Sequence, residues 1–306
     1  MQEHAFAWST LLSLYPDPIY HHQLLGMTEH GCLLGYDRLL HDADHCSNNL
    51  PISSAGHSHL CREIDACLAE GCLSIILAGN NLIELPIGVV PKPCSTKLCT
   101  IHHLSHPRQL TAAALPSVNA GISPGFIRIQ YEGLQDLLAF VSQNPGCLLW
   151  KGDLQDAFWH IVTAEHNVHL LGFSYDSIHY CENMLTFGGS SSLWLFNLVT
   201  EFLHWLVAAC LPTNWPVNHY LDDTFGTVPV SHAVHTLLPI HILALAANAL
   251  GLWLSPKKTF GTSTKLKVLG VEIDTVTQTI RITDNRCHRI LAQCRSLMQR
   301  RSAVKG

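Results

Sequence analysis

The chain has 306 residues, of which 47% are hydrophobic and 13% charged, so it reads as globular, with ample length to bury a core, and not as disordered. It carries 18 lysines and arginines against 23 aspartates and glutamates, a formal net charge of −5. Phosphate affinity comes largely from basic side chains, so composition by itself argues against a nucleic-acid binder. The twelve cysteines include no C-x-x-C pair, and the first residues lack a basic start followed by an apolar block; the expectation is a reduced, intracellular chain of cytoplasm or nucleus, not a secreted one.

In chain order, residues 1–50 hold short apolar patches broken by Pro16 and Pro18. Ser53–His59 is small and polar and predicts a loop. Cys61–Cys72 then carries Ile64, Cys67, Leu68 and Cys72 at helical spacing, which predicts a helix from Cys61 with Gly71 as its stop. Leu82–Pro91 and Leu98–Leu104 are β-like runs around the turn-rich Lys92–Thr96, which predicts a hairpin. A polar loop fills Ser105–Pro124, and Leu134, Leu137, Leu138 and Val141 mark one face of a helix over Tyr131–Ser142. Cys147–Leu154 predicts a buried strand, and Val168–Phe173 and Ile178–Met184 predict two more, joined through Asp176 and Ser177.

The Gly- and Ser-rich Gly188–Ser192 opens a long apolar helix to Leu211. Val217–Leu221 and Thr224–Val228 flank Asp222 and Asp223 in a second hairpin. A helix over His232–Leu252, strands at Lys265–Asp274 and Thr279–Ile282, and a basic helix over Asn285–Arg301 complete the pattern. Two apolar stretches, Ser192–Leu211 and His235–Leu254, are interrupted by Asn197, Glu201, His204, Pro239, His241 and Asn248. Polar groups at the centre of a membrane span are costly, so both are expected to be core helices and no membrane partner is expected. The whole predicts an α+β fold with a mostly antiparallel sheet packed on helices.

Chemistry concentrates in two acidic motifs, Lys151–Phe158 around Asp153 and Tyr220–Asp223. Nucleotide transfer needs little covalent work from a protein; it needs two divalent cations, which want hard oxygen ligands. Asp153 at the end of an apolar strand, facing Asp222 and Asp223 at a hairpin tip, would supply them. Adjacent aspartates repel, and a bound cation relieves that repulsion. The plainer alternatives stand beside this: aspartates favour turns, and Asp156 would serve as a helix cap for the residues after it.

The ordered series Asp153–Phe158, Leu185–Gly188, Tyr220–Asp223, Pro256–Thr259 and Leu269–Asp274, preceded by Pro86–Lys92, Ile101–Pro107 and Ser117–Asn119, resembles the reverse transcriptases of eukaryotic retroelements, including tyrosine-recombinase types. The resemblance covers nearly the whole chain. It implies right-hand polymerase fingers and palm, with an N-terminal extension at 1–80, fingers at 81–150, a palm at 151–284, and the start of a thumb or a tail at 285–306, so that the thumb is largely missing. It implies an RNA-directed DNA polymerase using two Mg²⁺ or Mn²⁺ ions, with a template and primer and deoxynucleoside triphosphates as partners. Residue by residue, Asp153, Asp222 and Asp223 match the catalytic metal ligands, and Leu154 would offer a backbone carbonyl to one ion. Phe158 matches the aromatic that rejects a 2′-hydroxyl, Gly188 and Gly189 the loop near the template, and Lys258 the lysine beside the triphosphate.

Departures from the pattern matter equally. Lys97-Leu98-Cys99 stands where the family has Lys-Trp-Arg, leaving Lys92 and Lys97 without an arginine's bidentate fork for the triphosphate. Leu185–Leu193 lacks the two prolines and the arginine of the usual loop. Two readings follow, an active polymerase module and a non-catalytic remnant that at most binds nucleic acid. Both predict the same fold; the polymerase reading further requires the three acids to converge, and it collapses if any of them is buried against a fixed basic partner. The segment with His41, His45, Cys46, His57, His59 and Cys61 lacks the paired spacing of structural zinc sites and predicts a polar linker.

Overall fold

The computed structural model describes residues 1–38, 47–77, 82–92, 97–108 and 116–299. Helices α1 (Ala5–Leu12) and α2 (Pro18–His30) come first, where the sequence suggested only broken patches. The prolines are the reason: Pro18 sits in the first turn of α2, where its missing N–H costs nothing, and Asp17 caps that turn by accepting from the N–H groups of Ile19 and Tyr20. Helix α3 (Ser54–Ala69) begins a full seven residues before the expected start at Cys61, because Ser53 caps it through the Gly56 N–H. Gly71 ends this region at φ +75°, as expected of a stop. Of the His/Cys-rich segment, His41, His45 and Cys46 lie outside the described residues; His57, His59 and Cys61 lie on α3.

Strand β1 (Leu73–Ile76) escaped the sequence reading, whereas β2 (Ile87–Pro91) and β3 (Leu98–His102) form the expected hairpin; residues 93–96 of its turn lie outside the described residues. The four-residue α4 (Val118–Gly121) precedes α5 (Gln135–Gln143) and β4 (Leu148–Asp153). Residues 168–171, read as the start of a strand, belong to a 3₁₀ helix over Glu165–Leu171, so that β5 is only Gly172–Tyr175, paired with β6 (Ile178–Glu182). Helix α6 (Ser192–Ala209), β7 (Val217–Tyr220), β8 (Asp223–Val228) and α7 (Leu238–Ala249) follow. Helix α6 is long and apolar enough to cross a membrane by length and composition, and 67% of it is buried within the protein, as a core helix would be.

Strand β9 (Phe260–Ser263) was not anticipated, and Lys265–Asp274 is a hairpin, β10 (Lys265–Val268) and β11 (Val271–Asp274), not one strand; β12 (Thr279–Ile282) and α8 (Asp284–Gln299) close the chain. Every ladder between these strands is antiparallel, giving sheets ordered β1-β6-β5, β2-β3, β7-β8-β4-β9 and β10-β11-β12. The fold class is α+β, as the sequence predicts.

The chain forms two compact units, each assembled from separated segments. The first comprises Met1–Gln130, Gln155–Glu201 and Asn248–Trp253. Its core joins Leu60, Ile64 and Cys67 of α3 to Ile87, Phe173 and Tyr180, and the fully buried Trp8 donates its indole N–H to the Leu250 carbonyl at 2.9 Å. The second comprises Tyr131–Leu154, Phe202–Ala247 and Leu254–Gly306. In it the four-stranded sheet uses both faces. Leu149 and Phe225 pack with Leu137 and Val141 of α5 and with Val268 and Ile273. On the opposite face a Cβ at Gly152 would stand 2.3 Å from Leu243 Cδ2, and one at Gly226 2.8 Å from the Trp150 ring. Both glycines therefore permit close packing that any side chain would block.

Candidate active site

Strand β4 alternates Leu149, Lys151 and Asp153 on one face with Trp150 and Gly152 on the other. Asp153 is directly opposite Asp223 in the β4–β8 register. The Leu154 N–H donates to the Asp222 carbonyl at 2.9 Å, while the Asp153 carbonyl turns the other way and accepts from the Ser255 N–H at 2.8 Å. Asp153 and Asp223 are thus a non-hydrogen-bonded pair, the arrangement in which facing side chains lie closest. Asp222 occupies the two-residue turn between Tyr220 and Asp223, which pair across it; its turn partner Leu221 has φ +54°. A non-glycine residue held there costs on the order of 1 kcal/mol or more, strain tolerated because both flanking strands fix the turn.

The structure therefore brings Asp153, Asp222, Asp223 and Lys258 together and places Leu154 beside them, all within the second unit. Asp153 is 3% exposed. Lys258 Nζ reaches both of its carboxylate oxygens, at 2.9 and 3.0 Å. Lys151, diagonal to Asp223 across the ladder, puts its Nζ 2.8 Å from Asp223 Oδ1. Sequence reasoning overlooked Lys151, although its position two residues before Asp153 on the same strand face was the available signal.

Basic partners for two of the acids are thus present, and they differ in kind. The Lys258 side chain is 61% exposed on a flexible stem, a counter-ion that another cation can displace. Lys151 is 15% exposed and nearer to a fixed partner. It does not offset the burial of Asp223, however. Burial pushes the Asp223 carboxyl up to about 6 despite Lys151 beside it, with Asp222 and Asp153 adding to the rise. Oδ1 of Asp223 is buried, with the Lys151 ammonium 2.8 Å away as its partner. Asp222 is likewise raised, by burial first and then by the negative charge of Asp153. The Lys258 ammonium is held above its usual range by its hydrogen bond to Asp153 and the charges of all three acids. Three carboxylates against two ammonium groups leave one negative charge in excess. Buried, under-neutralised hard oxygen donors fit divalent cations.

The remaining sequence candidates lie in the first unit. Phe158 is buried on a 3₁₀ turn, its ring edge-to-face with Phe187 at 4.5 Å and Phe196 at 5.4 Å. Asp156, expected to cap this turn, sits at φ +49° and makes no capping hydrogen bond; at positive φ its side chain is turned from the N–H groups it would cap. Gly188 has φ +99°, and a Cβ there would stand 2.7 Å from the His102 carbonyl. Asn119 clamps the loop: its Nδ2 donates to the Gly188 carbonyl and to Ser105 Oγ, each at 2.8 Å, and its Oδ1 accepts from the Ser190 N–H at 2.8 Å. A cavity of about 580 Å³ opens there, lined by His103, Ser105, Arg108, Asn119 and Gly188. A Cβ on Gly189 would meet Ser192 Oγ at 2.4 Å. Lys92 and Lys97 are exposed at the turn end of the β2–β3 hairpin, where the Lys92 N–H donates to the Lys97 carbonyl at 2.8 Å.

The sequence profile of a family described as reverse transcriptase (RNA-dependent DNA polymerase) matches residues 104–273, more than half of the chain. No curated protein matches. Among solved structures, the foamy viral protease-reverse transcriptase dRH in complex with double-stranded DNA superposes with a TM-score of 0.66 at 16% identity, covering 93% of this chain and 48% of that one. The same viral protein with an RNA/DNA hybrid gives 0.64 at 16% identity, over 95% of this chain and 39% of that one. The native prototype foamy virus protein gives 0.57 at 20% identity, over 75% and 28%. The chain spans about half or less of the length of these three relatives, and at such identities the likeness concerns the fold.

Proposed function

The chain belongs to the reverse transcriptase family, and on that premise we propose that it is an RNA-directed DNA polymerase module in which Asp153, Asp222 and Asp223 hold two divalent cations, Mg²⁺ or Mn²⁺. The observation that carries this reading is the facing of Asp153 and Asp223 across the β4–β8 ladder with Asp222 on the adjoining turn. Cations bound there would activate the 3′-hydroxyl of a primer and neutralise the departing pyrophosphate.

The chain's own residues then take defined parts. Lys258, on its exposed stem, would be free to turn from Asp153 to an incoming triphosphate with that carboxylate neutralised by a cation. Lys151 stays on Asp223 and holds it in line with Asp153. Phe158, braced by Phe187 and Phe196, presents a rigid aromatic wall against a ribose 2′-hydroxyl. The loop of Gly188 and Gly189, tied down by Asn119, lets a template base approach backbone closely. Lys92 and Lys97 serve the phosphates of deoxynucleoside triphosphates, and the Leu154 carbonyl completes one cation's ligands. The division into an extension at 1–80, fingers at 81–150, a palm at 151–284 and a tail from 285 belongs to the same reading.

Lys151 and Lys258 on two of the three acids, with Leu98 and Cys99 where the family carries tryptophan and arginine, favour a second reading, a fold that binds template and primer without chemistry. Primer extension by the purified chain with Mg²⁺ or Mn²⁺ separates the two. Extension that Asp222→Asn abolishes supports the polymerase; none from a verifiably folded chain supports the second reading.

A further inference from the structure

Away from the aspartates, Glu132, His204 and His219 place one ligand-type atom each within 4.8 Å of one another. Glu132 lies just before α5, His204 on α6 and His219 on β7, all in the second unit. His204 Nδ1 and His219 Nδ1 are 3.2 Å apart. Glu132 Oε1 is 3.3 Å from His204 Nδ1, and Oε2 is 3.7 Å from His219 Nδ1. The three side chains are 34%, 18% and 4% exposed.

Proton accounting shows why these contacts do not satisfy themselves. His204 Nε2 is 2.9 Å from the Val217 carbonyl, which can only accept, so Nε2 carries the proton and Nδ1 of the neutral ring offers a lone pair. Burial favours that neutral ring. The Glu132 carboxylate is acceptor-only, with Oε2 already taking the His219 backbone N–H at 3.0 Å. One Nδ1–H on His219 is left to serve two acceptors, while Glu132 Oε1 and His204 Nδ1 meet as two lone pairs. A cation at the centre turns all three approaches into bonds.

The dimensions agree. Bonds of ~2.0–2.1 Å at tetrahedral angles put neighbouring ligand atoms about 3.3–3.4 Å apart; the two imidazole nitrogens stand 3.2 Å apart and Glu132 Oε1 is 3.3 Å from His204 Nδ1, while it is the other oxygen, Oε2, that lies 3.7 Å from His219 Nδ1, so a small turn of the carboxylate brings one oxygen to both. The Val217 carbonyl behind His204 is the outer support that fixes a metal-bound imidazole's tautomer. The buried Asn218 Nδ2 also approaches Glu132 Oε2 at 3.5 Å, so that oxygen is held by donors and Oε1 is the one left for a cation. We infer that Glu132, His204 and His219 form a site for a transition-metal dication of the Zn²⁺ class, with water in the fourth position. Two imidazoles and one carboxylate select against Mg²⁺, which the all-oxygen aspartate cluster suits. The bound ion ties the segment just before α5 to α6 and β7.

The test uses the full chain, freed of any affinity tag and stripped with chelator, with Zn²⁺ measured by equilibrium dialysis and Co²⁺ by visible absorption. The expected result is one Zn²⁺ per chain and tetrahedral Co²⁺ bands, both kept by Asp153→Asn/Asp222→Asn and both lost in His204→Gln and His219→Gln. Glu132→Gln, which preserves the shape of the side chain, should weaken Zn²⁺ at least tenfold and guards against a histidine variant that fails to fold by circular dichroism. Absence of Zn²⁺ binding by the unaltered chain, an octahedral Co²⁺ spectrum, or Zn²⁺ affinity unmoved by Glu132→Gln would overturn the site.

Discussion

If the aspartate cluster binds divalent cations, binding must fail in acid over a window set by Asp223. Its carboxyl is pushed up to about 6 by burial, so about 99% is ionised at pH 8 and only about a tenth at pH 5. Cations take the ionised form. Apparent Mg²⁺ affinity should therefore fall about tenfold between pH 8 and pH 5 from this group alone, or about 1.4 kcal/mol, and Asp222, also raised, adds to the fall. The metal-free protein has its own dependence. Asp223 ionises less readily in the fold than in the unfolded chain, so its contribution to stability worsens as pH rises from about 4 through 6 and is relieved on acidification. Mg²⁺ titrations followed by calorimetry at pH 8, 7, 6 and 5, with Asp223→Asn as the control expected to fall less steeply because only Asp222 still titrates, measure this. Equal affinity at pH 8 and pH 5, or the same slope in Asp223→Asn, would refute the reasoning.

Lys258→Ala removes the bidentate partner of a buried carboxylate, and because that lysine is largely exposed the loss is discounted to about 1 kcal/mol. The metal-free melting temperature should drop by about 2–4 °C, and added Mg²⁺ should stabilise the variant more than the parent in differential scanning fluorimetry. Gly188→Ala places a Cβ 2.7 Å from the His102 carbonyl at φ +99°; it should cost about 1–3 kcal/mol in a urea melt and lower template-primer affinity in a fluorescence-anisotropy titration.

The aspartates were legible in the sequence because an apolar strand ending in Asp153 and a hairpin carrying Asp222 and Asp223 are local patterns, and their order carries the family resemblance. The turn at Leu269 and Gly270, φ +47° and +81°, was not legible: a leucine in left-handed backbone gives no warning, so β10 and β11 read as one strand. Helix α3 was read short because its first turns, Ser54–His59, are small and polar, and the cap at Ser53 outweighs that composition. The strand β9 has little apolar content and owes its conformation to pairing with β4. The bidentate contact of Lys258 with Asp153, and the meeting of Glu132 with His204 and His219, arise from tertiary approach, for which no spacing along the chain gives a sign.

The facing of Asp153 and Asp223 rests on main-chain pairing, and this sets which changes the lineage can absorb. One residue inserted into or deleted from β4 or β8 would turn one acid to the far side of the sheet, toward Trp150 and Leu243, and no compensating side-chain substitution restores it. Lengthened connections and exchanged residues in the Leu185–Leu193 segment leave that ladder untouched. Natural variants should therefore show gaps between the strands and none within them, with the acids outlasting the surrounding identities.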